Sequence, residues 1–150
     1  MSVRVQREDF DVGAETAKLI EGHPDIGAIV TFTGTVRSGN DGDAITGMTL
    51  EHYPDMTEAE MAGIEAEARA RWPLQASLVV HRVGELNAGE NIVLVIAASV
   101  HRQAAFEAAG FLMDYLKTRA PFWKKETTAS GDSAWVDARD ADEDAAKRWR

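Results

Sequence analysis

The residues with the clearest chemical potential lie close together, between positions 101 and 126. This stretch begins with a His–Arg pair, continues as a helical pattern of small and apolar residues, and breaks at Pro121. Residues 101–125 hold two acidic residues against five basic ones: Arg102, Lys117, Arg119, Lys124 and Lys125. The whole chain carries a formal charge of −9, so this local excess of positive charge predicts a site for a small anion.

Two kinds of chemistry fit this stretch. His101 and Arg102 stand between an apolar strand and the start of a helix, where unpaired N–H groups and side-chain donors together favour an anion. Lys117 and Lys124 fall on different elements, because Pro121 ends the helix between them. Two ammonium groups held close together disfavour each other's protonation, and a partly neutral lysine can act as a general base or a nucleophile.

The spacing also limits how such a site is assembled. His101 and Lys117 lie at opposite ends of the predicted helix, roughly 24 Å apart along its axis. We therefore expect either that the sheet returns to one end or that a second subunit completes the site. Lys124 and Lys125 are neighbours in a strand and point to opposite faces, so at most one of them faces Lys117. The aromatic residues at 122 and 123 predict a flat surface for a phosphorylated ring compound.

Each of these residues also has a purely structural interpretation. Arg37 follows a β-branched strand and precedes a polar loop, so it is either a phosphate clamp or a solvated arginine at a strand edge. Lys117 alone fits a cation at a helix end, and Lys124 with Lys125 fits a solvated edge. His81 lies in the middle of an apolar strand, where a structural histidine is the favoured interpretation.

Length and composition narrow the classes of protein. At 150 residues the chain is about one domain, so we take residues 1–150 as a single domain. No apolar run reaches the roughly 18 residues of a membrane span, and the start of the chain has no signal-peptide pattern. A cytoplasmic protein that does not associate with membranes is expected.

Several types of chemistry are disfavoured. The chain has no cysteine, which excludes disulfides, thiolate metal sites and a cysteine nucleophile. The four histidines lie on separate predicted elements without metal-ligand spacing, so no metal site is predicted. The negative net charge argues against general binding of nucleic acid.

The predicted elements follow the order β-α-β-β-α-β-β-α-β-β-α, which is typical of an α+β fold. Residues 27–53 read as a long hairpin, in which Gly34 indicates either a bulge or a close approach of the backbone by a ligand or a second chain. Residues 78–86 read as one strand. Thr57 with Glu60 resembles a capping box, and the apolar run 92–96 predicts a central strand. The helix at 103–118 is expected to bury Phe106, Ala109, Gly110, Met113 and Leu116 on one face.

Several ordered blocks then carry a resemblance to a known family. The most specific is the string LKTRAPFWKKE at residues 116–126. The others are TFTGTVR at 31–37, LEHY at 50–53, HRVGEL at 81–86, HR at 101–102, AFE at 105–107, WVDAR at 135–139 and AKRW at 146–149. Through these blocks, over roughly residues 26–149, the chain resembles the large, catalytic subunit of molybdopterin synthase.

The resemblance implies a fold, an activity and partners. The fold would be an α/β hammerhead-like mixed sheet with helices on one side and an added β subdomain. The enzyme would be a sulfurtransferase of molybdenum cofactor biosynthesis that converts cyclic pyranopterin monophosphate into molybdopterin by forming its dithiolene. Sulfur would come from the C-terminal thiocarboxylate of a small ubiquitin-like subunit, with no further cofactor. A homodimer of large subunits would form the core of a heterotetramer.

The resemblance also implies roles for particular residues. Lys117 matches the lysine held to be catalytic, and Lys124 matches the second essential lysine. The positions implied to bind the pterin and its phosphate are Arg37, His101, Arg102 and Arg139, bordered by Thr35, Val36, Lys125 and Glu126. Two rival classes stay open at this point. One is a non-enzymatic module that docks an acidic protein tail, and the other is an RNA-binding α+β domain, which the net charge disfavours.

Overall fold

The computed structural model describes residues 2–39, 44–136 and 140–150, without the side chain of Asp140. The described elements, in chain order, are β1 (Ser2–Gln6), α1 (Val12–Ile20), β2 (Ala28–Thr35), β3 (Ile45–His52), α2 (Met56–Arg71), β4 (Leu74–Arg82), β5 (Gly84–Asn87), β6 (Asn91–Ser99), α3 (Arg102–Arg119), β7 (Phe122–Thr128), β8 (Ser133–Val136) and α4 (Asp140–Lys147).

The strands form two four-stranded sheets. The first sheet has the order β1-β4-β6-β2, in which β1 pairs with β4 in parallel and the other pairs are antiparallel. The second sheet has the order β5-β3-β7-β8 and is antiparallel throughout. The apolar strand β6 lies inside the first sheet, as predicted from its sequence. A mixed sheet with an added antiparallel sheet confirms the predicted fold class.

The core lies between the first sheet and the long helices. Alternate residues of β4 and β6, such as Val79 and Val95, pack against α2 and α3, and Phe111 of α3 is fully buried there. The other residues of these strands, such as Val80 and Leu94, face the opposite side and pack against α1 and its leading segment. The long helices thus share one side of the sheet, and the short α1 covers part of the other.

Two predictions about strand pairing are wrong. Residues 27–53 do not form a hairpin, because β2 pairs with β6 in the first sheet while β3 pairs with β5 and β7 in the second. Residues 78–86 do not form one strand, because the chain leaves the first sheet at Arg82 and enters the second at Gly84, whose φ of +93° favours glycine. The predicted bulge is confirmed, since the β2–β6 register shifts between Gly34 and Thr35.

Two local predictions also need correction. Thr57 does not cap α2, because the N-cap residue is Asp55. The buried hydroxyl of Thr57 instead accepts a hydrogen bond from the backbone N–H of Tyr53. Phe106 is 63 % exposed, because it lies on the side of α3 that turns away from the sheet. Helix α1 is capped by Asp11, whose carboxylate accepts a hydrogen bond of 3.0 Å from the backbone N–H of Ala14. Within the described ranges, no helix is both long and apolar enough to span a membrane.

Candidate active site

A pocket of about 220 Å³ lies where the C-terminal end of α3 meets the second sheet. We call it the lysine pocket. Its wall combines apolar side chains with two lysines, one histidine and one carboxylate, namely Leu50, His81, Met113, Leu116, Lys117, Ala120, Phe122, Lys124, Val136 and Asp142. Helix α3, strands β3, β4, β7 and β8, and helix α4 all contribute, so the pocket exists only in the folded chain.

The turn between α3 and β7 brings Lys117 and Lys124 to the same pocket, as the sequence predicted. This turn is held from outside by Thr57, whose hydroxyl donates a hydrogen bond of 2.9 Å to the carbonyl oxygen of Pro121. Because Thr57 is fully buried, its position fixes where β7 begins relative to α2. The geometry of the lysine pair therefore depends on a residue that lies 64 positions before Pro121 in the chain.

The pairing of strands in the second sheet places Lys124 on the face that lines the lysine pocket. Leu50, Lys124 and Val136 are direct partners across β3, β7 and β8, and all three line the lysine pocket. Glu126 lies two residues further along β7 and so shares the face of Lys124. Lys125 lies on the opposite face, where its ammonium group is 5.8 Å from the ring centroid of Trp135. Only one of the two neighbouring lysines faces Lys117, as expected.

The two adjacent aromatic residues of β7, Phe122 and Trp123, also lie on opposite faces of the sheet. Phe122 lies inside the lysine pocket, stacked on the ring of His81 at 3.7 Å between centroids. Trp123 is 47 % exposed on the other face, with its ring 6.4 Å from that of Tyr53. The pocket therefore has one aromatic wall rather than the continuous aromatic surface that the sequence predicted.

His81 is held tightly in the pocket wall. Its Nδ1 atom lies 2.8 Å from the backbone carbonyl oxygen of Arg82, and its side chain is almost fully buried. The pKa of His81 is lowered to about 4, chiefly by burial and also by electrostatic interaction with Lys117 and His52, which together outweigh the raising effect of the hydrogen bond to Arg82. His81 is therefore uncharged at neutral pH.

A second pocket, of about 430 Å³, lies at the other end of α3 and is called the His–Arg pocket. It is formed by Gly27, Ala28, Val100, His101, Arg102 and Gln103. His101 is the N-cap residue of α3, yet its side chain makes no capping hydrogen bond. Gly27 packs closely here, because a Cβ atom at this position would lie 2.2 Å from the carbonyl oxygen of Val100.

None of the described residues lines both pockets, and the 18 residues of α3 separate them by roughly 27 Å. A single chain therefore does not bring His101 and Arg102 to Lys117. Arg119, the remaining basic residue of α3 near the lysine pocket, is directed elsewhere. Its guanidinium group lies 2.6 Å from a carboxylate oxygen of Glu67 on α2.

The remaining predicted site residues lie near the end of β2 or outside the description. Thr35 ends β2 and is exposed, and Arg37 follows it with an exposed side chain. Val36 is 2 % exposed and packs in an apolar cluster beneath the second sheet, with Met48, Leu50 and Leu86. Arg139 lies outside the described residues.

Sequence reasoning missed two members of the lysine pocket. His81 looked structural because it lies in an apolar strand, although its place within the HRVGEL block was a signal. Asp142 lies in a polar helix, and nothing in its sequence indicated that this helix contacts the lysine pocket. In the parts of the chain that the structure describes, no three His, Asp or Glu side chains cluster closely enough to hold a metal ion.

A mixed α+β fold in which two lysines converge on a partly enclosed, aromatic-walled pocket defines an enzyme that uses cationic side chains. Comparison with known proteins makes this class specific. The family model described as MoaE protein matches residues 5–119. A relative from Mesorhizobium japonicum named molybdopterin synthase catalytic subunit is 58 % identical over 150 residues, covering 99 % of this chain and 93 % of that protein. The chain belongs to the MoaE protein family, which confirms the resemblance.

Solved structures agree with this assignment. A molybdopterin biosynthesis MoaE protein from Burkholderia ambifaria has a TM-score of 0.84 and 49 % identity, covering 99 % of this chain and 97 % of that one. A complex of subunits 1 and 2 of the molybdopterin-converting factor from Helicobacter pylori has a TM-score of 0.72 at 19 % identity, over 91 % of each chain. At that identity the second likeness supports the fold alone. The chain is an enzyme of the MoaE family.

Proposed function

We propose that this chain is a molybdopterin synthase catalytic subunit that converts cyclic pyranopterin monophosphate to molybdopterin. The observation that carries the proposal is the convergence of Lys117 and Lys124 on one pocket of about 220 Å³. When reactants fill the pocket and displace its water, the apolar and aromatic wall strengthens the interaction of these lysines with a developing negative charge. The relatives that bear the same name support the assignment across nearly the whole chain.

The chemical step transfers sulfur from a thiocarboxylate. Sulfur of the small partner's C-terminal thiocarboxylate bonds to a side-chain carbon of the pterin and displaces an oxygen from it. Water then adds to the acyl carbon, the acyl–sulfur bond breaks, and the partner is released with a carboxylate. Lys117 stabilises the oxyanion that forms on the acyl group and relays the proton of the attacking water. Two such rounds complete the dithiolene, and no other cofactor takes part.

The second lysine and its neighbours hold the reactants. Lys124 lies on the pocket face of β7 and pairs with the negative charge of the thiocarboxylate or of the pterin. Glu126, on the same face, and Lys125, on the opposite one, border the site. We assign them to positioning rather than to the chemical step, because neither lines the lysine pocket.

The phosphate of the substrate binds through the His–Arg pocket. His101 and Arg102 have exposed side chains there, and the start of α3 adds backbone N–H groups. Because the two pockets lie at opposite ends of α3, we propose that a homodimer forms the site. In this arrangement His101 and Arg102 of one chain serve the lysine pocket of the other.

Four further residues complete the proposed substrate site. Arg37 and Arg139 bind the phosphate or the partner's tail, and Thr35 and Val36 place Arg37 at the end of β2. The partner is the small ubiquitin-like subunit, which binds at each end of the homodimer to give a heterotetramer. The single domain and the cytoplasmic location stay predictions.

The decisive experiment mixes the purified chain with thiocarboxylated small subunit and cyclic pyranopterin monophosphate. Mass spectrometry of the pterin then measures dithiolene formation. We expect product with the wild-type chain and with Lys18→Ala, a surface control on α1, and a loss of about 100-fold or more with Lys117→Ala. A stable complex that forms no product would favour the binding module and reject the sulfurtransferase. Normal product formation by Lys117→Ala would reject the role of that lysine.

A further inference from the structure

His81 is a buried polar side chain that the proposed steps do not use. It is the penultimate residue of β4, with 9 % of its surface exposed, and it lines the same pocket as Lys117 and Lys124. A polar side chain at a buried position is costly unless its hydrogen-bonding groups are used. One ring nitrogen is used, because Nδ1 lies 2.8 Å from the carbonyl oxygen of Arg82.

That contact determines which nitrogen carries the proton. A backbone carbonyl only accepts hydrogen bonds, so Nδ1 is the protonated nitrogen and donates to it. The lone pair of the neutral ring is therefore on Nε2. Nε2 is therefore the ring nitrogen that can accept a hydrogen bond in the pocket that His81 lines together with Lys117. The imidazole stacks on Phe122 with an angle of 17° between the rings, and this contact holds the imidazole in its orientation.

The groups around His81 keep it neutral. Its pKa of about 4 follows mainly from burial, with further lowering by the charge of Lys117 on α3 and by His52 on β3. Among the described residues, the other charged groups lining the pocket are Lys124 on β7 and Asp142 on α4. A neutral acceptor thus lies among two ammonium groups and one carboxylate.

This arrangement matters once the pocket is filled. An ammonium group has three donors and no acceptor, and each donor needs an acceptor when bound reactants exclude water. A carboxylate would orient the ammonium group of Lys117 but cancel much of its charge. A neutral imidazole nitrogen orients it and leaves the charge available for the oxyanion.

We propose that His81 is a positioning residue whose Nε2 atom accepts a hydrogen bond from the Lys117 ammonium group in the loaded pocket and fixes it beside the reacting acyl carbon. The inference rests on the proposed sulfur transfer. It adds to that function a residue that contributes through Lys117 rather than by contact with the substrate. No proton is transferred to His81 at any step.

The test compares two substitutions in the complete enzyme with its thiocarboxylated partner. His81→Phe keeps a ring that can stack on Phe122 but removes the acceptor. His81→Gln restores an acceptor oxygen near the place of Nε2. We expect His81→Phe to lower kcat by about 10- to 100-fold with KM for the pterin within about threefold, because misplacing a reacting group mainly affects the chemical step. His81→Gln should recover kcat to within about threefold of wild type.

His23→Gln is the matched control, since His23 is an exposed turn residue far from the pocket in sequence. Binding of the partner and the circular dichroism spectrum report whether each variant folds. Equal losses in folded His81→Phe and His81→Gln, or full activity of His81→Phe, would overturn the inference. An inactive wild-type enzyme would instead reject the sulfurtransferase proposal, so the two failures are distinct.

Discussion

The imidazole of His81 lies flat against the ring of Phe122, with centroids 3.7 Å apart and an angle of 17° between the planes. His81 lies near the end of β4 in the first sheet, and Phe122 begins β7 in the second. The stack therefore joins the two sheets at the wall of the lysine pocket. It also removes the histidine from water, which links the pocket to the pH dependence of folding.

The free energy of unfolding should fall as the pH falls from about 6.5 to 4. In this window the unfolded chain binds a proton at position 81, whose pKa there is about 6.5, while the folded chain does not, because the pKa of His81 is about 4. The contribution that is present above pH 6.5 and lost by pH 4 is roughly 3 kcal/mol. Urea denaturation at pH 7 and pH 4 measures it.

The comparison with His81→Phe isolates this contribution from other titrating groups. The stability difference between the wild-type chain and His81→Phe should shrink by roughly 3 kcal/mol between pH 7 and pH 4. His23→Gln should keep the wild-type pH dependence, because His23 is exposed. A stability difference that does not change with pH would show that the histidine is not buried in its neutral form.

The charge of Lys117 should be detectable at His81. Lys117→Ala removes one of the causes that lower the pKa of His81, so that pKa should rise. It should remain below the ordinary histidine value, since burial is the larger cause. NMR titration of the imidazole carbon-bound protons measures the shift. Lys18→Ala should leave the titration of His81 unchanged, and an unchanged titration in Lys117→Ala would place the lysine too far from the ring.

The hydroxyl of Thr57 should stabilise the turn that pairs the two lysines. Thr57→Val keeps the shape of the side chain but leaves the Tyr53 N–H and the Pro121 carbonyl without this partner, at a cost of about 1–3 kcal/mol in unfolding free energy. Thr118→Val is the control, because its hydroxyl bonds only to carbonyls of its own helix and should change stability by about 0.5 kcal/mol or less. Equal effects in urea denaturation would contradict this role.

Mixed dimers should reveal which chain provides each cation. Lys117→Ala and Arg102→Ala should each be nearly inactive alone. If the two residues of one site come from different chains, half of randomly mixed dimers hold one intact site, and about a quarter of wild-type activity returns. If both residues come from one chain, every site keeps one defect and the mixture stays inactive. The rate of dithiolene formation after co-refolding the two variants distinguishes these arrangements.

Local patterns predicted the elements well. The apolar run of β6 indicated a central strand, and Gly34 indicated the bulge. Both features depend on only a few adjacent residues, so local sequence was enough to predict them. Pairing was not predictable in the same way. Strands β2 and β3 are consecutive and both β-branched, yet they belong to different sheets, since burial against α3 favours β6 as the partner of β2. Periodicity likewise placed Phe106 in the core, although 63 % of its surface is exposed.

In the candidate site, too, the contacts between residues close in sequence were predictable and the long-range contacts were not. Pro121 forces a reversal of the chain within seven residues, so the meeting of Lys117 and Lys124 could be anticipated. His81 and Asp142 reach the pocket from distant elements, and their neighbours in sequence say nothing of that contact. The hydroxyl of Thr57 was misread for the same reason, because its acceptor, Pro121, is 64 positions away.

Helix α3 also has an electrical direction. Its aligned peptide dipoles place partial positive charge at the end that begins with Arg102 and partial negative charge at the end that carries Lys117. Each effect is worth about 0.3–1 kcal/mol near a helix end. The same helix therefore attracts an anion at the His–Arg pocket and supports a cation at the lysine pocket. The helix dipole thus makes the two pockets favour ligands or side chains of opposite charge, even when no substrate or partner is bound.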